Sequence, residues 1–470
     1  MNPSRHWTRR RFLATTGLGL VGFGSGVALA APPPTALTNS WEQGRDAILS
    51  RIKPPLFPTR DFNPRDFGAV GDGRTDARPA FLAAIRRCNA EGGGRVVVPR
   101  GEWWLEGPLH LLSNVHLHLD DAAVLRFRTD DPALYLPVVL TRWEGTELFN
   151  YSPLIYAYQA ANVALTGGGR LEGNALDTFV KWRERQGADQ RLARQMGADG
   201  VPLPQRIFGP GHWLRPAFVQ FYGCHHVLCD GFTLRDSPFW CVHAVACSNV
   251  TIRRLRVESA PINSDGFDAE SCRDVLVEDC YFNVGDDCVA LKSGRDADGW
   301  RLGRPTEDVV LRRLEMHAPL AGSGLAIGSE MSGGVRRVYA EDIHMGYART
   351  ALNFKGNLDR GGAVEHVQVR RVRAERADTF LKFTTDYHGY RGDRHPPRFR
   401  DFLLEQLSCQ EAQVAIHAVG VPEARLERLT LEDVVVERAA HAAELRHLRG
   451  LRTTRVLVNG VALAPAGDID

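Results

Sequence analysis

Three carboxylates in one stretch have the type and spacing for acid–base chemistry. They are Asp265 and the adjacent pair Asp286 and Asp287, within NSDGFDAESCRDVLVEDCYFNVGDDCVALKSG (residues 263–294). Asp287 follows Asp265 by 22 residues, about one turn of a coiled β solenoid, so the two acids stack on neighbouring coils roughly 5 Å apart. Three carboxylates this close cannot all ionise easily, and one should keep its proton near neutral pH. A proton donor beside a water-activating base suits hydrolysis of a glycosidic bond. A polar turn ladder or a Ca²⁺ site would use the same residue types. Neighbours in a regular strand face opposite ways, so Gly285 is expected to supply the bend that brings both Asp286 and Asp287 out.

The elements that must position these acids follow from a short repeated unit, a polar residue, then Val, then alternating apolar positions. It is seen in SNVHLHL, ANVALTG, HHVLCDG, SNVTIRR, RDVLVED, EDVVLRR, RRVYAED and EHVQVRR. With Val227, Val250, Val275, Val309, Val338, Val367, Phe402, Leu426 and Leu451 as anchors, the shortest intervals are about 24 residues, one coil, and the excesses are loops. The longer gap from Val115 to Val163 reads as two coils. The period predicts an all-β chain, a single-stranded right-handed parallel β-helix of about ten coils, each too thin to fold alone. A β-sandwich would show closer, hairpin-like turn signals. Phe81, Ala84, Ile85 and Cys88 share one face of a helix behind Asp76, the natural cap for the open end of a solenoid. GAVGDG lacks the Lys-Ser/Thr ending of a phosphate loop and reads as a tight turn.

Counting from the anchors places further side chains near the acids. Trp240 and His243 lie one coil before Asp265; Ser323, Lys355, Lys382 and His417 follow on later coils. The expected geometry is an axial groove with the acids at its centre and lysines on one side. Asn263, Trp240, His243, Ser323, Lys355, Lys382 and Arg360 are the candidate substrate contacts. Asp265 stands 15 residues past its anchor and Asp286 stands 11 past its own. That offset is expected to widen the acid–base gap toward the roughly 6.5–9.5 Å of inverting glycosidases. Two insertions, 174–214 with a charged helical stretch and 385–399, basic and aromatic, are either solvated loops or walls of the groove.

Composition is globular, with 44% apolar and 24% charged residues, which leaves no case for disorder or a membrane protein. Residues 1–30 read as a twin-arginine export signal, with Arg9-Arg10-Arg11 before an apolar run that ends in a small-residue cleavage site. An uncleaved segment would be a short membrane anchor. Cleavage removes Arg5, Arg9, Arg10 and Arg11 and no acid, turning a net charge of +2 into −2, so there is no electrostatic argument for nucleic acid. Residues 31–60 are Pro-rich and read as a linker and approach segment, with the solenoid over 61–465. Nine cysteines is an odd number for disulfides. Cys224, Cys247 and Cys272, one repeat apart, read instead as a buried ladder. No C-x-x-C pair suggests zinc. A periplasmic or secreted monomer without metal or cofactor is expected.

DFGAVGDGRTD, SPFW, NSDGFD, GDDCVALKSG and GSGLAIGSEMSGG occur in an order that resembles glycoside hydrolase family 28, the polygalacturonase family, over nearly the whole mature length. The resemblance implies a pectin lyase-like solenoid and an inverting hydrolysis of pectic, uronate-containing glycans. By position Asp286 would be the general acid, and Asp265 and Asp287 would hold and activate the water. Two departures matter. Gly322-Ser323-Gly324 stands where the family has Gly-His-Gly, and Asn353-Phe354-Lys355 where it has Arg-Ile-Lys. They resemble branches acting on rhamnogalacturonan or other decorated pectins, and a rhamnogalacturonan or exo-acting hydrolase stands as the alternative to a polygalacturonase. Other classes on the same solenoid are a Ca²⁺-dependent pectate-type lyase and a non-catalytic glycan-binding protein.

Overall fold

The computed structural model describes residues 37–388 and 394–470. The export-signal reading of residues 1–30 lies outside them. No helix among the described residues is long and apolar enough to cross a membrane.

The chain winds as a right-handed parallel β-helix with three strands per coil. On the face that carries the site, Val219–Tyr222, Val242–Val245, Phe267–Glu270 and Val289–Lys292 pair in parallel, one coil apart. The second face carries the anchors, with Val227, Val250, Val275, Val309, Val338, Val367 and Phe402 in one unbroken register. They are buried and stack inside the coil, together with alternate neighbours such as Cys229, Ile252, Val277 and Leu311. The polar residue before each anchor has a structural reason. Asn114, Asn162, His226, Asn249, Asp274, Asp308, Arg337, His366, Asp401 and Arg428 all have positive φ, a left-handed bend that Asn and Asp tolerate best.

That bend corrects two expectations. Phe402 pairs with Leu429, not Leu426, and Arg428 at φ 53° marks the true register. Val115 and Val163 lie on adjacent coils, because Ala164 pairs with His116. The gap is therefore one coil, lengthened by the antiparallel hairpin Val139–Trp143 and Thr146–Asn150.

Helix α1 (Leu37–Arg51) occupies what reads as a linker. Ile48 and Ile52 pack on Leu276 and Val310 of the solenoid wall, so burial of this apolar stripe outweighs the proline signals around it. Helix α2 (Arg78–Ala90) buries Phe81, Ala84, Ile85 and Cys88 in the core of the first coils. Asp76 accepts the Arg78 backbone N–H at 2.9 Å at its start. All nine cysteines are free and buried. Two short C-terminal strands, Val461–Ala462 and Gly467–Ile469, turn back antiparallel on the last coil.

Candidate active site

Phe267 pairs with Val289, which puts Asp265 and Asp287, each two residues earlier, one above the other on adjacent coils. Glycines allow the approach. A Cβ on Gly285 would lie 2.1 Å from the carbonyl oxygens of Ala260 and Pro261, and one on Gly322 would lie 1.9 Å from the Asp286 carbonyl carbon. Gly285 thus serves close backbone packing at the turn that sets Asp286 and Asp287. The Gly266 N–H donates to the Asp287 carbonyl at 2.9 Å and ties the two turns together.

One carboxylate oxygen of each acid lies within 4.8 Å of the others. The gap is therefore not widened as the anchor count suggested. The 15-against-11 difference is mostly loop length: seven residues join Arg256–Ser259 to Phe267–Glu270, and four join Tyr281–Val284 to Val289–Lys292. The spacing would suit a cation, but Lys355 Nζ already sits 2.9 Å from Asp287 and Lys292 Nζ 3.8 Å from Asp265. Two ammonium groups occupy the charge-balancing positions, so the donor set does not fit a metal.

The three acids have separate environments. Asp287 accepts the Ser323 backbone N–H at 2.8 Å and Lys355 Nζ at 2.9 Å. Against burial, which pushes it up, Lys355 and Lys292 hold its pKa below the usual carboxylate value, so it is ionised. Asp286 accepts the backbone and side-chain N–H of Asn263 at 3.1 and 3.3 Å. Burial and the neighbouring Asp287 charge raise its pKa to about 6. It is also the half-buried member, whereas Asp265 and Asp287 are 3% and 2% exposed. Asp265 keeps one oxygen, Oδ1, without a hydrogen-bond partner. Burial, then Asp268 and Asp286, push its pKa well up.

Of the candidate contacts, Trp240, Asn263 and Lys355 line one cavity with the three acids. Asn263 at φ 65° is held by Arg215, whose Nη2 donates to its Oδ1 at 2.7 Å. Ser323 is buried; its side chain accepts from Asn353 Nδ2 at 2.9 Å, so it serves the site through its backbone. His243 and Arg360 do not reach the cavity. His243 is buried between Gln220 (2.9 Å) and Glu270 (3.0 Å) and supports the Trp240 ring edge-on at 4.7 Å. Arg360 is buried on Asp296 at 2.7 Å. Both are inward-packed residues whose polar type mimicked a contact. Lys382 lies one coil past Asn353, in register with it and outside the cavity lining.

Sequence reasoning missed a second layer of charge. Lys292 is fully enclosed among Glu330 (3.3 Å), Asp268 (3.6 Å) and Asp265, with Trp240 over its ammonium at 4.7 Å. Arg295 pairs with Glu330 and with Glu144 of the hairpin. Lys292 and Glu330 stand inside GDDCVALKSG and GSGLAIGSEMSGG, so the signal was present in the motifs themselves. Both insertions reach the cavity. Helix α3 (Gly187–Ala198) contributes Arg194, ion-paired to Glu144 at 2.6 Å, and the second insertion contributes Tyr387 and His388.

Residues 211–388 match the family description of glycosyl hydrolases family 28. Residues 62–120 match rhamnogalacturonase A/epimerase, pectate lyase-like. A hyperthermoactive exopolygalacturonase from Thermotoga maritima superimposes with a TM-score of 0.85 at 36% identity, covering 91% of this chain and 99% of that one. The chain belongs to glycosyl hydrolase family 28. A probable polygalacturonase of Vitis vinifera is 29% identical over 399 residues, 81% of this chain and 75% of that protein. A family 28 exopolygalacturonase of Yersinia enterocolitica shares the fold, with a TM-score of 0.71 at 20% identity. As a family 28 member the protein is a glycoside hydrolase.

Proposed function

We propose that the protein hydrolyses a pectic, uronate-containing glycan by a single displacement, with Asp286 as the general acid and a water held by Asp265 and Asp287 and activated by the ionised Asp287. The observation that carries this reading is the split within the cluster. Asp287 is held ionised by Lys355, while the half-buried Asp286 has a pKa of about 6. A general acid works best with a pKa near the working pH. The pectic substrate is supported by the polygalacturonases among the relatives. Inversion is supported by the family and by burial: Asp265 and Asp287, 3% and 2% exposed, leave room for no more than a small molecule such as water, whereas an anomeric carbon needs a more open carboxylate. The close spacing of the acids is nearer the roughly 5–5.5 Å of retaining enzymes, so the anomer is the deciding measurement. Proton NMR of the first-formed product should show the inverted configuration; a retained anomer or a trapped glycosyl-enzyme overturns the mechanism.

Release of reducing ends from homogalacturonan, compared with rhamnogalacturonan and xylogalacturonan, tests the substrate. Products that absorb in the ultraviolet through a new double bond would show a lyase instead. A second reading, exo action, is favoured by the wall that Glu144 and Arg194 build at the cavity from the hairpin and α3. It expects mono- or disaccharides as the first products. Export through residues 1–30 belongs to the same proposal; lysines in place of Arg9 and Arg10 should retain the protein in the cytoplasm.

A further inference from the structure

We infer that Lys382 forms a carboxylate-binding subsite one coil beyond Lys355, three coils past Asp286 and Asp287, and that it makes the enzyme prefer free uronate over its methyl ester. The inference rests on the pectic reading above and adds which sugar group is recognised, and where.

The argument begins with Lys355. Its ammonium is committed to Asp287 at 2.9 Å, so it is not a free counter-ion for substrate. Asn353, two residues before it, is neutral and donates to Ser323. The outward position next to Asn353 on the following coil is Lys382, one strand spacing away, roughly 4.8 Å. Lys382 is half-buried, and among the described residues no carboxylate lies within ion-pair distance of it. Its cationic neighbour Arg349 is already paired with Asp378 at 3.2 Å.

Tyr387 connects this lysine to the site. Its ring lies 5.3 Å from Lys355 Nζ and 5.9 Å from Lys382 Nζ, and it lines the catalytic cavity. Its backbone N–H is fixed on the Gly356 carbonyl at 3.0 Å. Two ammonium groups therefore flank one aromatic ring, one facing the reaction centre and the other free. A sugar ring against Tyr387 would place a C6 carboxylate beside Lys382. Burial, then Lys355 and Arg349, lower the Lys382 pKa, as expected of a cation held without its counter-ion. An arriving carboxylate would supply it; a methyl ester would not.

The test compares Lys382→Met and Lys382→Arg with the parent enzyme on de-esterified and fully methyl-esterified oligogalacturonides of equal length. A charge-assisted hydrogen bond predicts that Lys382→Met raises KM on the free acid roughly 10-fold or more. KM on the ester and kcat on both should hold, and Lys382→Arg should restore most of the preference. Unchanged KM on the free acid overturns the inference, and so does an equal loss on both substrates, which marks a packing role. A parent enzyme that cleaves neither substrate overturns the pectic reading and this assignment with it; preference lost without loss of cleavage supports the subsite alone.

Discussion

The same solenoid arranges carboxylates in two opposite ways. At the bend four residues past the anchors from Val250 to Val367, arginines and acids alternate from coil to coil. Glu278 and Asp279 face Arg312 and Arg313, and Glu341 and Asp342 face Arg370 and Arg371. Arg313 grips Asp279 with two bonds, at 2.6 and 2.8 Å. Hydrogen bonds from their arginines hold Asp279, Asp342 and Asp433 below the usual carboxylate range. At the cleft, acid stacks on acid: Asp265 lies under Asp287, with Asp286 beside Asp287 and Asp268 on the same coil as Asp265. Both oxygens of Asp268 lack a hydrogen-bond partner. Along the ladder, with coils about 5 Å apart, the first charge partner lies one coil away; in the cleft it is Asp268 on the same coil for Asp265, the adjacent Asp287 for Asp286, and Lys355 two coils on for Asp287. Alternation along the axis makes a stable surface, and repetition makes a reactive one.

The strongest way to break this contrast is to remove one cleft acid. Asp286→Asn keeps the shape but cannot give a proton to the leaving oxygen, so kcat should fall roughly 10²–10⁴-fold while glycan binding and folding persist. Near-normal turnover would remove the acid assignment. Lys355→Met makes the cleft more purely repetitive. Asp287 loses its counter-ion, its pKa rises, and kcat should drop about 10²-fold, with the low-pH limb of the rate profile moving up. An unshifted limb would show that Lys355 does not set the charge of Asp287.

The cleft should also carry a stability cost that the ladder does not. Asp286 titrates near 6 when folded, against 3.8 for an ordinary aspartate, so the native state binds the proton more tightly. Stability from that site is full below about pH 4 and is lost as pH rises through about 6. Asp286→Asn should therefore be more stable than the parent by about 3 kcal/mol at pH 7 and equal to it near pH 4 in urea titrations. Equal stability at both values would contradict the raised pKa. The smallest effect belongs to the ladder. Arg313→Ala should cost about 0.5–1 kcal/mol after discounting for its exposed side chain, less in high salt, with kcat unchanged.

Much of this was legible because the bends impose their chemistry on the sequence. A polar residue at positive φ followed by an inward valine is a local requirement, and it repeats wherever the chain coils. Register slipped where the signal is generic: Leu426 and Leu429 are both buried leucines, and only the bend at Arg428 separates them. The cleft was legible in part. Asp265, Asp286 and Asp287 sit in motifs, but the enclosure of Lys292 depends on Glu330, which stands a coil and a loop away. His243 and Arg360 show the converse, since a polar side chain at the right phase can still turn inward to a buried partner.

Helix α1 alters how the whole array can come apart. A stack of repeats that touch only their neighbours frays from its ends, one rung at a time. This helix spans many rungs at once. The Lys53 N–H binds Asn249, Arg51 binds Asp274 and Asp308, Arg45 binds Glu341, and Trp41 lies under Arg370. The five coils it crosses include those that carry the acids, so loosening any one of them must also strip a strap shared by the rest. The reactive middle of the array is thereby bound into one cooperative block, and fraying is left to the coils on either side.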